Sequence, residues 1–282
     1  MNIQIYNPET NTIDFDLVLQ IPEFQKLKET PQHSWWHEEG DAWEHTKMVV
    51  NKMIDFIDKN QEYQFFKDLQ YREILVYSAL FHDIGKPLTT FLGEDGYYHC
   101  PEHAVEGAKL TETLINDFYL LDENIKPAII SLVRNHMRPI YVMKSNNPKQ
   151  ELLKLVNSLN GIDFKALVIL KWCDDQGSSH PDSGYEELLK KVYDLYLEEI
   201  SYPKGTCVKV TKLKTLNTEH KLFGHPNGIE KGDVYLGKIC TPVTVGWGVF
   251  LGRVFHTSNV TEIIDKNHFK TKNSLYEITK YE

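Results

Sequence analysis

Cysteine is scarce in this chain. Among 282 residues there are four, Cys100, Cys173, Cys207 and Cys240, far apart and without a C-x-x-C pair. A reduced, cytoplasmic protein without a disulfide framework or a thiolate zinc site fits that spacing best. No run of about 18 apolar residues is present, so no membrane span is expected. The N-terminus, "MNIQIYNPETNTIDFD", lacks the basic and apolar regions of a secretory leader. There is no internal repeat and no low-complexity tract. The glycines of "GWGVFLG" suit bends in a sheet and resemble no phosphate-binding loop.

What is there is the composition of an ordinary globular protein, 41% hydrophobic and 25% charged. The length allows one large domain or two smaller ones. The net charge of -9 is unevenly spread. From Lys204 onward 12 Lys and Arg stand against 7 Asp and Glu, whereas the first 203 residues hold 19 against 33.

Texture changes at the same place. Residues 43 to about 200 show apolar residues at helical spacing, as in "AWEHTKMVVNKMIDFIDKN", "YREILVYSALFHD", "IKPAIISLVRNHM" and "FKALVILKWCDD". Gly, Pro, Asn and Ser separate these stretches. The segment "SYPKG" at 201–205 breaks the pattern. Beyond it, "TCVKVTKL", "DVYLGKIC" and "HFKTKNSLYEITKY" are rich in Val, Thr, Ile and aromatics, with period-two alternation. The expected fold is therefore α+β: an N-terminal extension over 1–30, an all-α domain over 31–203, and a small β-rich, barrel-like module over 204–282.

Several helices carry His or Asp where an apolar residue would pack. His45 lies on the first, His82 and Asp83 end the second in "ALFHDIGKP", His103 opens another, and His136 ends "LVRNHM". Asp174 and Asp175 end "VILKWCDD". Singly, each has an ordinary structural reading. Together, imidazole and carboxylate are the donors that zinc, manganese, iron, cobalt or nickel take, and facing helices are a usual place to assemble them.

The order His, then His-Asp, then Asp, carried here by His45, His82-Asp83 and Asp174, resembles the HD superfamily of metal-dependent phosphohydrolases over about residues 31–200. "PQHSWWHEEGDAWEHTKMVV", "HAVEGA" and "CDDQG" are similar to segments of the HD domains of bacterial tRNA nucleotidyltransferases and related nucleic-acid end-processing phosphatases. The last match favours Asp174 over Asp175. The nucleotidyltransferase head has no counterpart, and "DFD" at 14–16 is read as a chance likeness to its carboxylate pair.

The resemblance implies that His45, His82, Asp83 and Asp174 hold one divalent metal. Asp83 bridges to a second in dinuclear members, with His103 and His136 as the extra ligands or, unmetallated, as donors to the phosphate. Mn, Ni, Co, Fe, Zn and Mg all remain open. Lys109 and Arg138 stand near these two histidines in sequence, and a neighbouring cation favours neutral, ligating imidazole. Asp83, Lys86, Arg138 and His99 are the candidate catalytic residues, the two cations for phosphate oxygens and His99 for protonating the leaving group. "WW" at 35–36 reads as packing or as a surface for a base.

The implied activity is hydrolysis of a phosphomonoester or 2',3'-cyclic phosphate of a nucleotide or RNA end. One rival is a phosphodiesterase degrading a cyclic nucleotide or oligonucleotide messenger. The other is an inactive HD scaffold with nucleic-acid binding by the β module, whose basic balance suits such contact.

Overall fold

The computed structural model describes residues 4–32, 40–119, 121–202, 205–216, 231–240, 243–246, 248–251 and 255–281. The readings of Trp35 and Trp36, and the part of the "PQHSWWHEEG" likeness at 33–39, lie outside these residues. By internal contacts the chain divides into two units. One holds residues 1–140 and 165–189, and the other holds 141–164 and 190–282.

The first unit is helical. Helix α1 (Ala42–Lys59) starts at Asp41, whose carboxylate accepts from the amides of Trp43 and Glu44, satisfying N–H groups that the helix cannot pair itself. Asp68 caps helix α2 (Leu69–Phe81) in the same way. Residues 74 to 81 of α2 are buried without interruption, which is why "ILVYSALF" reads as apolar all round rather than striped. Helix α2 packs on α1, on α3 (His103–Asp117) and on α4 (Lys126–Asn135). Trp43, Phe24, Phe81 and Tyr77 form one aromatic core. The "DFD" segment has a local explanation: Asp14 accepts from the amides of Asp16 and Leu17 and caps the short helix Phe15–Val18.

The second unit combines helix α5 (Pro148–Ser158) with an antiparallel sheet. Helix α6 (Phe164–Gln176) belongs to the first unit apart from its first residue, and α7 (Ser183–Glu199) is assigned to the first unit up to Leu189 and to the second from Lys190. The strands are β1 (Cys207–Thr215), β2 (Val234–Lys238), β3 (Val260–Asp265), β4 (His268–Thr271) and β5 (Ser274–Lys280), in the order β2-β1-β5-β4-β3. Val208, Val210, Phe269, Tyr276 and Ile278 are buried.

The barrel-like expectation is met, among the described residues, as a five-stranded sheet whose end strands do not pair with each other. Outer groups of β3 are already taken. Asn157 on α5 accepts from the amide of Ile263 at 2.6 Å and donates to its carbonyl at 2.7 Å, and Gly246 donates to the Val260 carbonyl. No helix of the described residues is long and apolar enough to cross a membrane.

Candidate metal centre

Every histidine and carboxylate of the proposed centre sits at or near a helix end. His45 is in the first turn of α1 and His103 is the first residue of α3. His82 and His136 follow the last residues of α2 and α4, and Asp174 lies in the last turn of α6. A helix end lets a side chain reach a common point without a buried ridge between.

Glycine makes that convergence possible. A methyl group at Gly85 would lie 2.2 Å from the His103 carbonyl oxygen and 2.5 Å from the Gly107 amide nitrogen. No side chain fits there. The turn after His82-Asp83 and the first turns of α3 therefore touch backbone to backbone, with the glycine of "HDIGKP" against that of "HAVEGA". Gly177 does the same at the end of α6. A methyl there would lie 2.9 Å from Val49 Cα on α1, one turn beyond His45.

The result is two histidine pairs around one carboxylate. His82 Nε2 is 3.4 Å from His45 Nε2, and these nitrogens are 3.2 and 3.7 Å from Asp83 Oδ2. His103 Nε2 is 3.2 Å from His136 Nε2, and these are 3.3 and 3.9 Å from Asp83 Oδ1. Asp83 thus offers one oxygen to each pair. Asp174 joins the first pair, with Oδ1 3.0 Å from His45 Nε2 and 3.5 Å from His82 Nε2. All these residues are buried.

Backbone carbonyls set the tautomers. His82 Nδ1 donates to the Ala79 carbonyl, His103 Nδ1 to Cys100 and His136 Nδ1 to Val133, at 2.7–2.8 Å. A carbonyl only accepts, so each Nδ1 carries the proton and each Nε2 of a neutral ring presents a lone pair. Burial depresses His103 and takes His136 down to about 3, in the latter case with His103 and His82 adding repulsion. Two neutral rings therefore aim lone pairs at each other across 3.2 Å. This arrangement fits a cation, and imidazole with carboxylate is a donor set for a divalent metal.

His82 differs. Burial opposes its charge, but the carboxylates of Asp83 and Asp174 raise it to about 10. Both aspartates are held below the usual range despite burial, Asp83 by His82 and Lys86 and Asp174 by Lys171 and His45. Burial, and not the basic residues singled out in the sequence, accounts for the neutral pair. Lys109 is exposed and paired with Glu106, and Arg138 donates to the Asn135 side chain.

A cavity of about 210 Å³ opens on the centre, lined in part by Asp83, Lys86, His103, Lys171, Asp174 and Tyr185. Lys86 reaches Asp83 Oδ2 at 2.6 Å and also Gln32. Arg138 and His99 are not among the residues lining it. His99 sits on the hairpin formed by 91–92 and 98–99, paired with Asp95, and lines a smaller recess with Lys86 and Gln32. Lys171, Cys100, Gln32 and Tyr185 escaped the sequence reading. For Lys171 a signal existed, a lysine inside the apolar run of α6, three residues before Asp174.

Residues 43–166 match the family model for the HD domain. That span holds His45, His82, Asp83, His103 and His136, and Asp174 lies beyond it. No curated protein matches the chain.

Proposed function

We propose that this chain, which carries an HD domain and with it the metal-dependent phosphohydrolase character of that family, hydrolyses a phosphomonoester or 2',3'-cyclic phosphate of a nucleotide or RNA end. The observation that supports it most is the His103–His136 pair. Two buried, neutral imidazoles facing each other through acceptor nitrogens are stable beside Asp83 Oδ1 when a cation lies among them. The His45, His82, Asp83 and Asp174 cluster offers a second such place.

A divalent metal bound in such a centre supplies a Lewis acid for phosphoryl oxygens and a water of lowered pKa. The chain's own groups have separate work. The carbonyls of Ala79, Cys100 and Val133 hold three imidazoles in the ligating tautomer. Lys86, gripped by Asp83 and Gln32, fixes the shared carboxylate. The cavity is of a size for a phosphate and part of a sugar.

The RNA-end reading draws on the likeness of "HAVEGA" and "CDDQG" to HD domains of tRNA nucleotidyltransferases. The basic balance after residue 204 supports contact with nucleic acid.

The test is metal analysis of protein purified without chelator, followed by hydrolysis of p-nitrophenyl phosphate, its bis ester and a nucleoside 2',3'-cyclic phosphate. Mn, Ni, Co, Fe, Zn and Mg are each supplied. Turnover of the monoester or the cyclic phosphate is expected. Absence of bound metal together with no turnover under any of the six would overturn the reading.

A further inference from the structure

Lys171 is an ammonium group buried in the apolar helix α6, with 6% of its surface exposed. Burying such a group is costly unless its donors find acceptors. It has three. One meets Asp174 Oδ2. Among the described residues its other polar contact is the thioether of Met137, 3.7 Å away and a weak acceptor. Lys86 makes the contrast. It too lines the cavity, but oxygens of both Asp83 and Gln32 engage it.

Lys171 lines the cavity together with Asp83, His103 and Asp174. We propose that Lys171 is the residue that binds a non-bridging oxygen of the substrate's phosphate group. Asp174 anchors the ammonium from one side through Oδ2 and keeps Oδ1 turned to His45 and His82. The remaining donor capacity meets the phosphate. The identity of the anion rests on the phosphohydrolase reading above.

The experiment reads binding of inorganic phosphate to the full chain loaded with manganese, by calorimetry, with bound manganese measured on the same samples. Lys171→Met is expected to weaken phosphate binding about tenfold or more, the scale of a lost charged hydrogen bond. Lys171→Arg should retain most of it. Manganese content should match the parent in both. Should the Met variant fail to load, Lys171→Gln carries the comparison, since its amide keeps a donor for Asp174 without the charge. A loaded Met or Gln variant that binds phosphate as tightly as the parent overturns the proposal. Because no turnover is read, a parent that hydrolyses nothing but binds phosphate through Lys171 would sink the hydrolase reading and leave this one standing.

Discussion

The two halves of the centre use the same ligand type and differ in charge. The half built from His45 and His82 has Asp174 besides its share of Asp83, and its carboxylates hold a proton on His82 in the metal-free protein. Among the described residues, the half built from His103 and His136 has only its share of Asp83 within ion-pair distance, and burial keeps both rings neutral. Two histidines in one buried cluster can thus sit on opposite sides of neutrality. What decides is the number of carboxylates within reach, set against a desolvation cost common to both. The first half is the stronger electrostatic trap for a cation but must expel a proton to fill. The second is weaker and already deprotonated.

The largest effect should come from removing what the halves share. Asp83→Ala is expected to empty both and to cut hydrolysis by roughly a thousandfold, about 4 kcal/mol of barrier, while far-ultraviolet dichroism stays helical. Full metal content and activity in that variant would remove the basis for a joint centre.

Next is Gly85→Ala, where the added methyl meets backbone and not a flexible side chain. Overpacking of this kind costs about 1–3 kcal/mol, which urea unfolding of the metal-free protein would detect. The second half should suffer first, since α3 must retreat with His103. Equal loss of metal from both halves would contradict that order.

His103→Ala and His136→Ala should each lower the metal count towards one per chain and slow turnover more than about tenfold, roughly 1.4 kcal/mol. A parent count of one, unchanged in both variants, would reassign these histidines to binding the substrate and leave the first half intact.

The smallest effect is a slope. With His82 raised to about 10, the metal-free protein gains stability from that proton below about pH 6.5, the unfolded value, and loses it as pH climbs through the folded value. A metal entering the first half displaces the proton, so its affinity should rise up to about tenfold per pH unit above neutrality. His136, depressed to about 3, has no proton to lose in that window. Affinity of the second half should be flat there. Parallel slopes for the two binding events would erase the distinction.

The ligands were legible because chemistry put them where helix periodicity called for apolar residues, and "HDIGKP" marks its own turn. Their grouping around Asp83 came from the family resemblance, but the backbone contact that permits it did not show. The split of Asp83 between two histidine pairs depends on a Gly85–Gly107 contact between segments distant in sequence. Lys171 was hidden because one lysine in an apolar helix ordinarily extends its charge to solvent, and only the fold shows it buried against Asp174. Period-two alternation announced the strands. It carried no sign of Asn157, on a helix 106 residues earlier, occupying the edge at Ile263. Arg138 and His99 looked close to the site along the chain, but their side chains are engaged by Asn135 and Asp95.

Two metals held by the two histidine pairs would be thermodynamically dependent, because the pairs share the one Asp83 carboxylate. A cation held by the first pair would draw electron density from the shared carboxylate and repel a second cation, so filling one place should weaken the other. Linkage requires the same factor in the reverse direction. The centre would then answer metal supply over a broad concentration range, in two stages, with the fraction of fully loaded protein set by the weaker step. A titration resolving two unequal affinities would carry the signature of Asp83's position, and a steep single transition would mean that something other than this carboxylate links the pair.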